Sequence, residues 1–244
     1  MPTPDMPVEP PPPDPGSMMR SRSYLVTLVF GAAIGAPISV VAFGFLELVN
    51  FLQQALYEHL PEGLGFHGEP AWWPVPLLGI AGLIVAAAIR YLPGRGGHSP
   101  ADGFSAAMTE PISLPGVVLA AVATLAIGAV LGPEAPLIAV GSGLALLAVR
   151  KVRPGTQPSG QLVVAAAGSF AAIATVLGSP LLAAIFMLEG IGLGGQMMTA
   201  VLLPGLLAAG VGSLVFIGLG TWTGLGTFSL AIPDLPSVAH PTAA

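Results

Sequence analysis

The sequence predicts an all-α membrane protein that crosses the bilayer several times through broken helices. Of its 244 residues, 54% are hydrophobic and only 8% are charged, and the mean hydropathy is +0.85. A soluble domain carries about 25% charged residues, so this composition indicates a multi-span membrane protein. Glycine and proline also interrupt several apolar stretches. These interruptions predict helices that end and restart within the membrane.

The composition excludes several kinds of function and suggests an orientation. The chain has no cysteine, so it has neither a disulfide framework nor a thiolate site, and we predict no metal and no cofactor. It has no basic run that would bind nucleic acid. The seven basic residues form three clusters, at 20–22, 90–95 and 150–153. Because such residues collect on the cytoplasmic side, an even number of crossings should separate the clusters, with the N-terminus in the cytoplasm.

The chain divides into a transmembrane domain and two tails. Residues 1–19 are proline-rich and acidic and predict a disordered cytoplasmic tail, residues 20–235 form the transmembrane domain, and residues 236–244 form a flexible tail. Residues 53–70 are polar and should be external, with histidines and glutamates too loosely spaced for a metal site. Gly35-Ala-Pro37 interrupts the apolar pattern of the first span. The predicted helices cover residues 24–50, 72–91, 115–130, 136–149, 161–177, 180–188 and 199–219.

One carboxylate with apolar sequence on both sides is the strongest functional signal. Glu134 stands between Gly132-Pro133 and Ala135-Pro136. An ionisable residue at membrane depth is costly and usually marks a functional site. The glycine and prolines predict one helix ending near Gly132 and another beginning near Pro136, whose free N–H groups suit an anion. The alternative is a kinked packing helix in which Glu134 faces a polar partner.

Two further breaks carry helix-starting residues. In Gly96-Gly-His-Ser-Pro100 the glycines allow the backbone to approach a ligand, and Ser99-Pro100 is typical of a helix start. We expect a second helix N-terminus here, arriving from the cytoplasmic side, although a simple cytoplasmic loop is the alternative. Gly178-Ser179-Pro180 predicts two shorter helices instead of one span, and Glu189 follows at the membrane edge.

Three segments together resemble the CLC family of voltage-gated chloride channels and chloride–proton antiporters. Gly132-Pro-Glu-Ala-Pro136, followed by Gly141, is similar to the family's G-[KR]-E-G-P…G element. Residues 179–189 are similar to its A-P-L-A-G-x-x-F-x-x-E-E helix, and residues 96–100 stand where the family has G-S-G-I-P. Order, spacing and hydrophobic pattern agree over about residues 24–235.

The resemblance implies both a fold and a mechanism. The fold would be the first half of an inverted repeat built from broken and tilted helices. The protein would be a homodimer in a bacterial plasma membrane, with a pore in each subunit that passes chloride or another small anion. Glu134 would be the gating glutamate that competes with the anion. Two stretches would contact the anion, chiefly through backbone N–H groups: Gly97, His98 and Ser99, and Gly132, Pro133, Glu134, Ala135 and Leu137.

The sequence also departs from the family pattern. Pro133 replaces a basic residue and Ala135 replaces a glycine, which changes the backbone and the field at the gate. The family's central serine falls at Gly97, and this puts selectivity among anions in doubt. Gly190 replaces the second of the paired acids that serve proton delivery. Glu189 is therefore the remaining candidate for a proton path, and a channel-like or differently coupled mechanism is favoured.

On this resemblance, we expect the chain to stop where the second half of the family's inverted repeat would begin. Gly226-Thr-Phe-Ser-Leu230 mimics the start of the second-half G-x-F-x-P motif but lacks its proline and the membrane helix behind it. We expect a truncated product, with a partner that supplies the other half as the alternative; an isolated half-subunit would then conduct nothing. An intramembrane enzyme using Glu134 is not expected, because no carboxylate, histidine or serine is spaced to assist it.

Overall fold

The computed structural model describes residues 22–94, 108–129, 132–191 and 195–223. These residues are predominantly helical and contain no strand, and five helices among them are long and apolar enough to cross a membrane. The predicted all-α multi-span class is therefore confirmed. The predicted tails at 1–19 and 236–244 lie outside the described residues. The helices are α1 (Arg22–Gln54), α2 (Pro74–Tyr91), α3 (Leu114–Ala126), α4 (Glu134–Val152), α5 (Pro158–Leu177), α6 (Pro180–Ile191) and α7 (Gly195–Thr223).

Helix α1 is longer than the sequence predicts. Instead of an external loop after residue 50, α1 continues to Gln54 and is followed by a π-helical turn, Ala55–His59, and a helical turn, Leu60–Gly63. Pro37 lies inside α1, so the expected interruption is wrong as well. A helix of 33 residues is about 50 Å long and exceeds a hydrocarbon core of about 30 Å. Helix α1 must therefore tilt or extend beyond the core.

The other predicted helices are present, with ends that differ by up to four residues. The predicted break after α5 is confirmed at Gly178, which has a φ of +63°. This left-handed conformation favours glycine and ends the helix. Helix α6 then begins at Pro180, where the Ser179 hydroxyl accepts a hydrogen bond from the Leu182 N–H at 3.3 Å.

Helix α5 lies at the centre of the described fold. Nearly all of its side chains from Val163 to Val176 are buried, and among these only Ser169 and Thr175 are polar. A helix that is apolar on all sides needs other elements to cover it, and α1, α4, α6 and α7 all pack against α5. The Thr175 hydroxyl bonds to that of Ser39 on α1 at 2.7 Å, so the buried hydroxyls satisfy one another.

Helices α1 and α7 run parallel at close range. The Tyr24 hydroxyl near the start of α1 donates to the Ala200 carbonyl near the start of α7 at 3.1 Å. Farther along, a Cβ added to Gly35 would lie 3.0 Å from the Cα of Ala208. Only glycine permits this approach, and small residues at membrane helix contacts commonly bring two backbones together in this way.

Helices α4 and α5 pack antiparallel with equally close backbones. The Ser169 hydroxyl of α5 donates to the Ile138 carbonyl of α4 at 3.1 Å. A Cβ added to Gly141 would lie 2.8 Å from the carbonyl carbon of Gly168. The direct contact of two backbones fixes the position of α4 along its length, including its first turn.

The described basic residues share one end of the bundle, which we call the basic end. Helix α2 starts beside the far end of α1 and runs back until Gly94 packs against Ser113 just before α3. Nearby, Glu110 forms a two-point ion pair with Arg150 at the end of α4, with N–O distances of 2.7 and 3.0 Å. The basic end thus combines the start of α1 and the ends of α2 and α4, and it carries Arg22, Arg90, Arg150, Lys151 and Arg153.

Candidate anion site at the start of α4

A chain break between α3 and α4 forms the site. Helix α3 ends at Ala126 in a Schellman motif, in which the Gly128 N–H donates to the Leu125 carbonyl at 3.0 Å and the Ala129 N–H donates to the Thr124 carbonyl at 3.2 Å. Gly128 has the left-handed φ of +73° that this motif requires. The predicted break is therefore confirmed, and it begins before Gly132 because this motif ends α3 early.

Glu134 lies within the length of the central helix. Since Ile138 is level with Ser169 of α5, Glu134 lies roughly 6 Å farther from the basic end, whereas α5 continues about 12 Å beyond Ser169. The carboxylate is therefore about one helical turn short of the far end of α5. Glu134 thus lies alongside the apolar central helix, and its depth in a membrane stays a prediction.

The first turn of α4 offers backbone donors. A helix cannot pair the N–H groups of its own first residues. Pro136 has no N–H, and the Leu137 N–H already donates to the Pro133 carbonyl at 3.1 Å while the Leu137 side chain is fully buried. The N–H groups of Glu134 and Ala135 remain, and no side-chain cap covers them. Leu137 was predicted to contact the anion, but its N–H group is already bonded within the helix.

The Glu134 side chain folds back over the preceding backbone. A Cβ added to Gly132 would overlap the carboxylate, with its position 2.6 Å from the Glu134 Cδ. Glu134 is half-buried, and within the described ranges no basic side chain forms an ion pair with it. Arg150, on the same helix, is about 24 Å away along the axis. Among the described residues, the N-terminus of α4 is therefore the positive end nearest to this carboxylate.

The remaining predicted site residues are not joined to Glu134 in the described structure. Gly97, His98 and Ser99 lie outside the described residues. Glu189 is exposed on α6, and no hydrogen bond or ion pair between described residues links it to Glu134. Its role in a proton path stays a prediction.

Sequence reasoning missed two residues that contact the end of α3. Gln53 Nε2 donates to the Leu125 carbonyl at 2.8 Å, and the Tyr57 hydroxyl donates to the Ile127 carbonyl at 2.7 Å. Both lie in the segment that the sequence predicted to be an external loop. Their spacing of one helical turn was the available signal, because it places both side chains on one face of a continuing helix.

Comparison with known proteins gives consistent results. The sequence pattern of the family described as "Voltage gated chloride channel" matches residues 81–240. Proteins named "Putative ion-transport protein YfeO" from Salmonella paratyphi A, Salmonella newport and Salmonella typhimurium are each 30% identical over 197 residues, which is 80% of this chain and 47% of the relative. The chain therefore spans about half the length of these curated relatives. No solved structure matches it.

Proposed function

This chain belongs to the voltage-gated chloride channel family, and from that premise we propose that it passes chloride or another small anion across a membrane with Glu134 as the gate. The observation that carries the proposal is the place of the Glu134 carboxylate, which folds over Gly132 at the start of α4. This is the place where an anion would meet the free N–H groups of the helix.

The proposed mechanism is a competition for the start of α4. The N–H groups of Glu134 and Ala135 bind the anion when the carboxylate is away and are shielded by its negative charge when it folds back. Partial charges from a helix end attract an anion without the strong binding that a full cation would impose, so the anion can leave again. Protonation of Glu134 removes its negative charge and favours passage. Flux should therefore rise as the pH falls.

Orientation and assembly belong to the same proposal. The shared basic end would face the cytoplasm of a bacterial cell, because basic residues next to membrane spans collect on that side. The chain would act as a homodimer in the plasma membrane. Exchange with protons would use Glu189 on α6, although Gly190 beside it favours channel-like passage.

The test is chloride efflux from proteoliposomes that hold the purified chain, measured over a range of pH. Glu134→Gln keeps the size of the side chain and removes its charge, so flux should become nearly independent of pH. The matched control is Glu62→Gln, which removes the charge of an exposed glutamate after the π-helical turn. The control should keep the pH profile of the unmodified protein. A Glu134→Gln protein that conducts with an unchanged pH profile would exclude Glu134 as the gate.

A second candidate function is an assembly subunit that conducts only with another polypeptide. It is favoured by the share of the relatives' length that the chain covers, 47%, and by the exposed apolar faces of α2 and α6. In that case a folded, reconstituted chain would give no efflux alone, and efflux would appear when a polypeptide corresponding to the rest of a relative is added. Efflux from the chain by itself would exclude this candidate.

A further inference from the structure

The far end of α1 satisfies the last carbonyls of α3. The Leu125 carbonyl lies in the final turn of α3 and already accepts the Gly128 N–H at 3.0 Å, whereas the Ile127 carbonyl lies just after α3, where the helix has no N–H group of its own to offer. Gln53 Nε2 adds a second donor to the Leu125 carbonyl at 2.8 Å, and the Tyr57 hydroxyl donates to the Ile127 carbonyl at 2.7 Å. Both side chains are half-buried, and hydrogen bonds are stronger where water is partly excluded.

Tyr57 is held in a defined position by its own surroundings. It lies in the π-helical turn Ala55–His59, an arrangement that is uncommon and often occurs at functional sites. The Trp73 indole N–H donates to the carbonyl of Leu56, the preceding residue, at 2.8 Å, and the Trp73 side chain is itself buried. The tyrosine hydroxyl therefore approaches α3 from a rigid element.

The held carbonyls stand directly before the segment that carries the gate. After Ile127 the chain turns at Gly128 and reaches Glu134 seven residues later. In the described residues of this short connection, no other side chain donates a hydrogen bond to the backbone. Gln53 and Tyr57 thus fasten the end of α3, where the connection starts, to residues 53–57, while the packing of α4 on α5 fixes the helix at which the connection ends.

We propose that Gln53 and Tyr57 are positioning residues for the Glu134 gate, an inference that rests on the proposed function. They contact neither the anion nor Glu134. They hold the end of α3 at a fixed place relative to the first turn of α4. The Glu134 carboxylate then folds back over Gly132 in one arrangement.

The test uses Tyr57→Phe, which removes one hydroxyl and leaves the ring. The matched control is Tyr24→Phe, because the Tyr24 hydroxyl also donates to a backbone carbonyl, that of Ala200, but at the basic end. In Tyr57→Phe the Gly128 and Ala129 amides should exchange with solvent deuterium roughly two- to tenfold faster, as expected for the loss of one hydrogen bond. The pH profile of chloride efflux should shift as well. Tyr24→Phe should change neither quantity.

The outcomes separate this inference from the proposed function. Unchanged exchange at Gly128 and Ala129 in Tyr57→Phe would show that the hydroxyl does not hold α3 and would overturn the inference. Faster exchange with an unshifted pH profile of chloride efflux would show that the contact is purely structural. That result would also overturn the inference. If the unmodified chain gives no efflux, or if Glu134→Gln keeps the pH profile, the proposed gate fails and the positioning role fails with it. The exchange data still identify the contact in that case.

Discussion

Replacing Gly132 with alanine should move the Glu134 carboxylate without unfolding the protein. The added Cβ would lie 2.6 Å from Cδ and 3.0 Å from Oε1 of Glu134, whereas ordinary contact begins at 3.4 Å. Oε2 lies closer still and would overlap the Cβ, so the carboxyl group must move by roughly 2 Å. It can do so because it is the end of a flexible side chain, and a distorted rotamer costs about 0.5–1.5 kcal/mol. The Gly132 backbone is not in the left-handed region, so alanine fits its conformation.

The assay combines a stability measurement with a flux measurement. The free energy of unfolding of Gly132→Ala should fall by no more than about 1.5 kcal/mol, while the pH profile of chloride efflux should shift because the carboxylate no longer rests over the backbone. The control is Gly79→Ala on α2, where no atom lies within 4 Å of the added Cβ. It should keep the original flux and gain up to about 1 kcal/mol from helix propensity.

One result would refute this account of the gate. If Gly132→Ala gives the same efflux at every pH as the unmodified protein, the carboxylate cannot be controlling passage from its place over Gly132. A large loss of stability would instead show that the first turn of α4 is more tightly constrained than the contacts of Gly132 indicate.

Two further predictions concern stability. Gly141→Ala should lower the free energy of unfolding by about 1–3 kcal/mol, because its Cβ would meet the Gly168 backbone, which cannot rotate away. Denaturation in detergent would measure this loss. An unchanged free energy of unfolding would contradict the close contact between α4 and α5. The hydrogen bonds from Arg150 lower the pKa of Glu110 below its ordinary 4.5, so the pair contributes stability above pH 4.5 and loses it as the pH falls through the lowered pKa. Both side chains are exposed, so the effect should be small; melting temperatures of Glu110→Gln and the unmodified protein should differ slightly at pH 7 and converge in acid.

The breaks after α3 and α5 could be predicted from the sequence, but the continuity of α1 could not. Glycine and proline act locally, through φ and the missing N–H, and so Gly178 and the segment before Glu134 were recognisable as helix ends. Pro37 obeys the same local rules, yet α1 passes through it, because helices packed around a proline can compensate for the lost bond. Local sequence signals predict the backbone reliably where no tertiary contact acts on it. They fail where packing against other helices acts on it.

The features of the candidate site likewise divide into those that the local sequence predicts and those that depend on tertiary contacts. The apolar surroundings of Glu134 and its place at a helix start follow from neighbouring residues in the sequence. The bond from Tyr57 to Ile127 joins residues 70 positions apart and depends on a π-helical turn in a polar segment. The fold of the carboxylate over Gly132 depends on one side-chain rotamer. Neither can be derived from the order of the residues alone.

The parallel packing of α1 against α7 has a consequence for how the chain assembles. The bond from Tyr24 to Ala200 closes a loop of 176 residues. During synthesis α1 is made before α5 and α7, so the Ser39 hydroxyl cannot bond to Thr175, and Gly35 cannot pack against Ala208, until those helices follow. Contacts between distant residues are slow to form, and the species that precede them are prone to misassembly. Amino-acid changes at Gly35 or Ser39 should therefore reduce the yield of folded protein as well as its stability once folded.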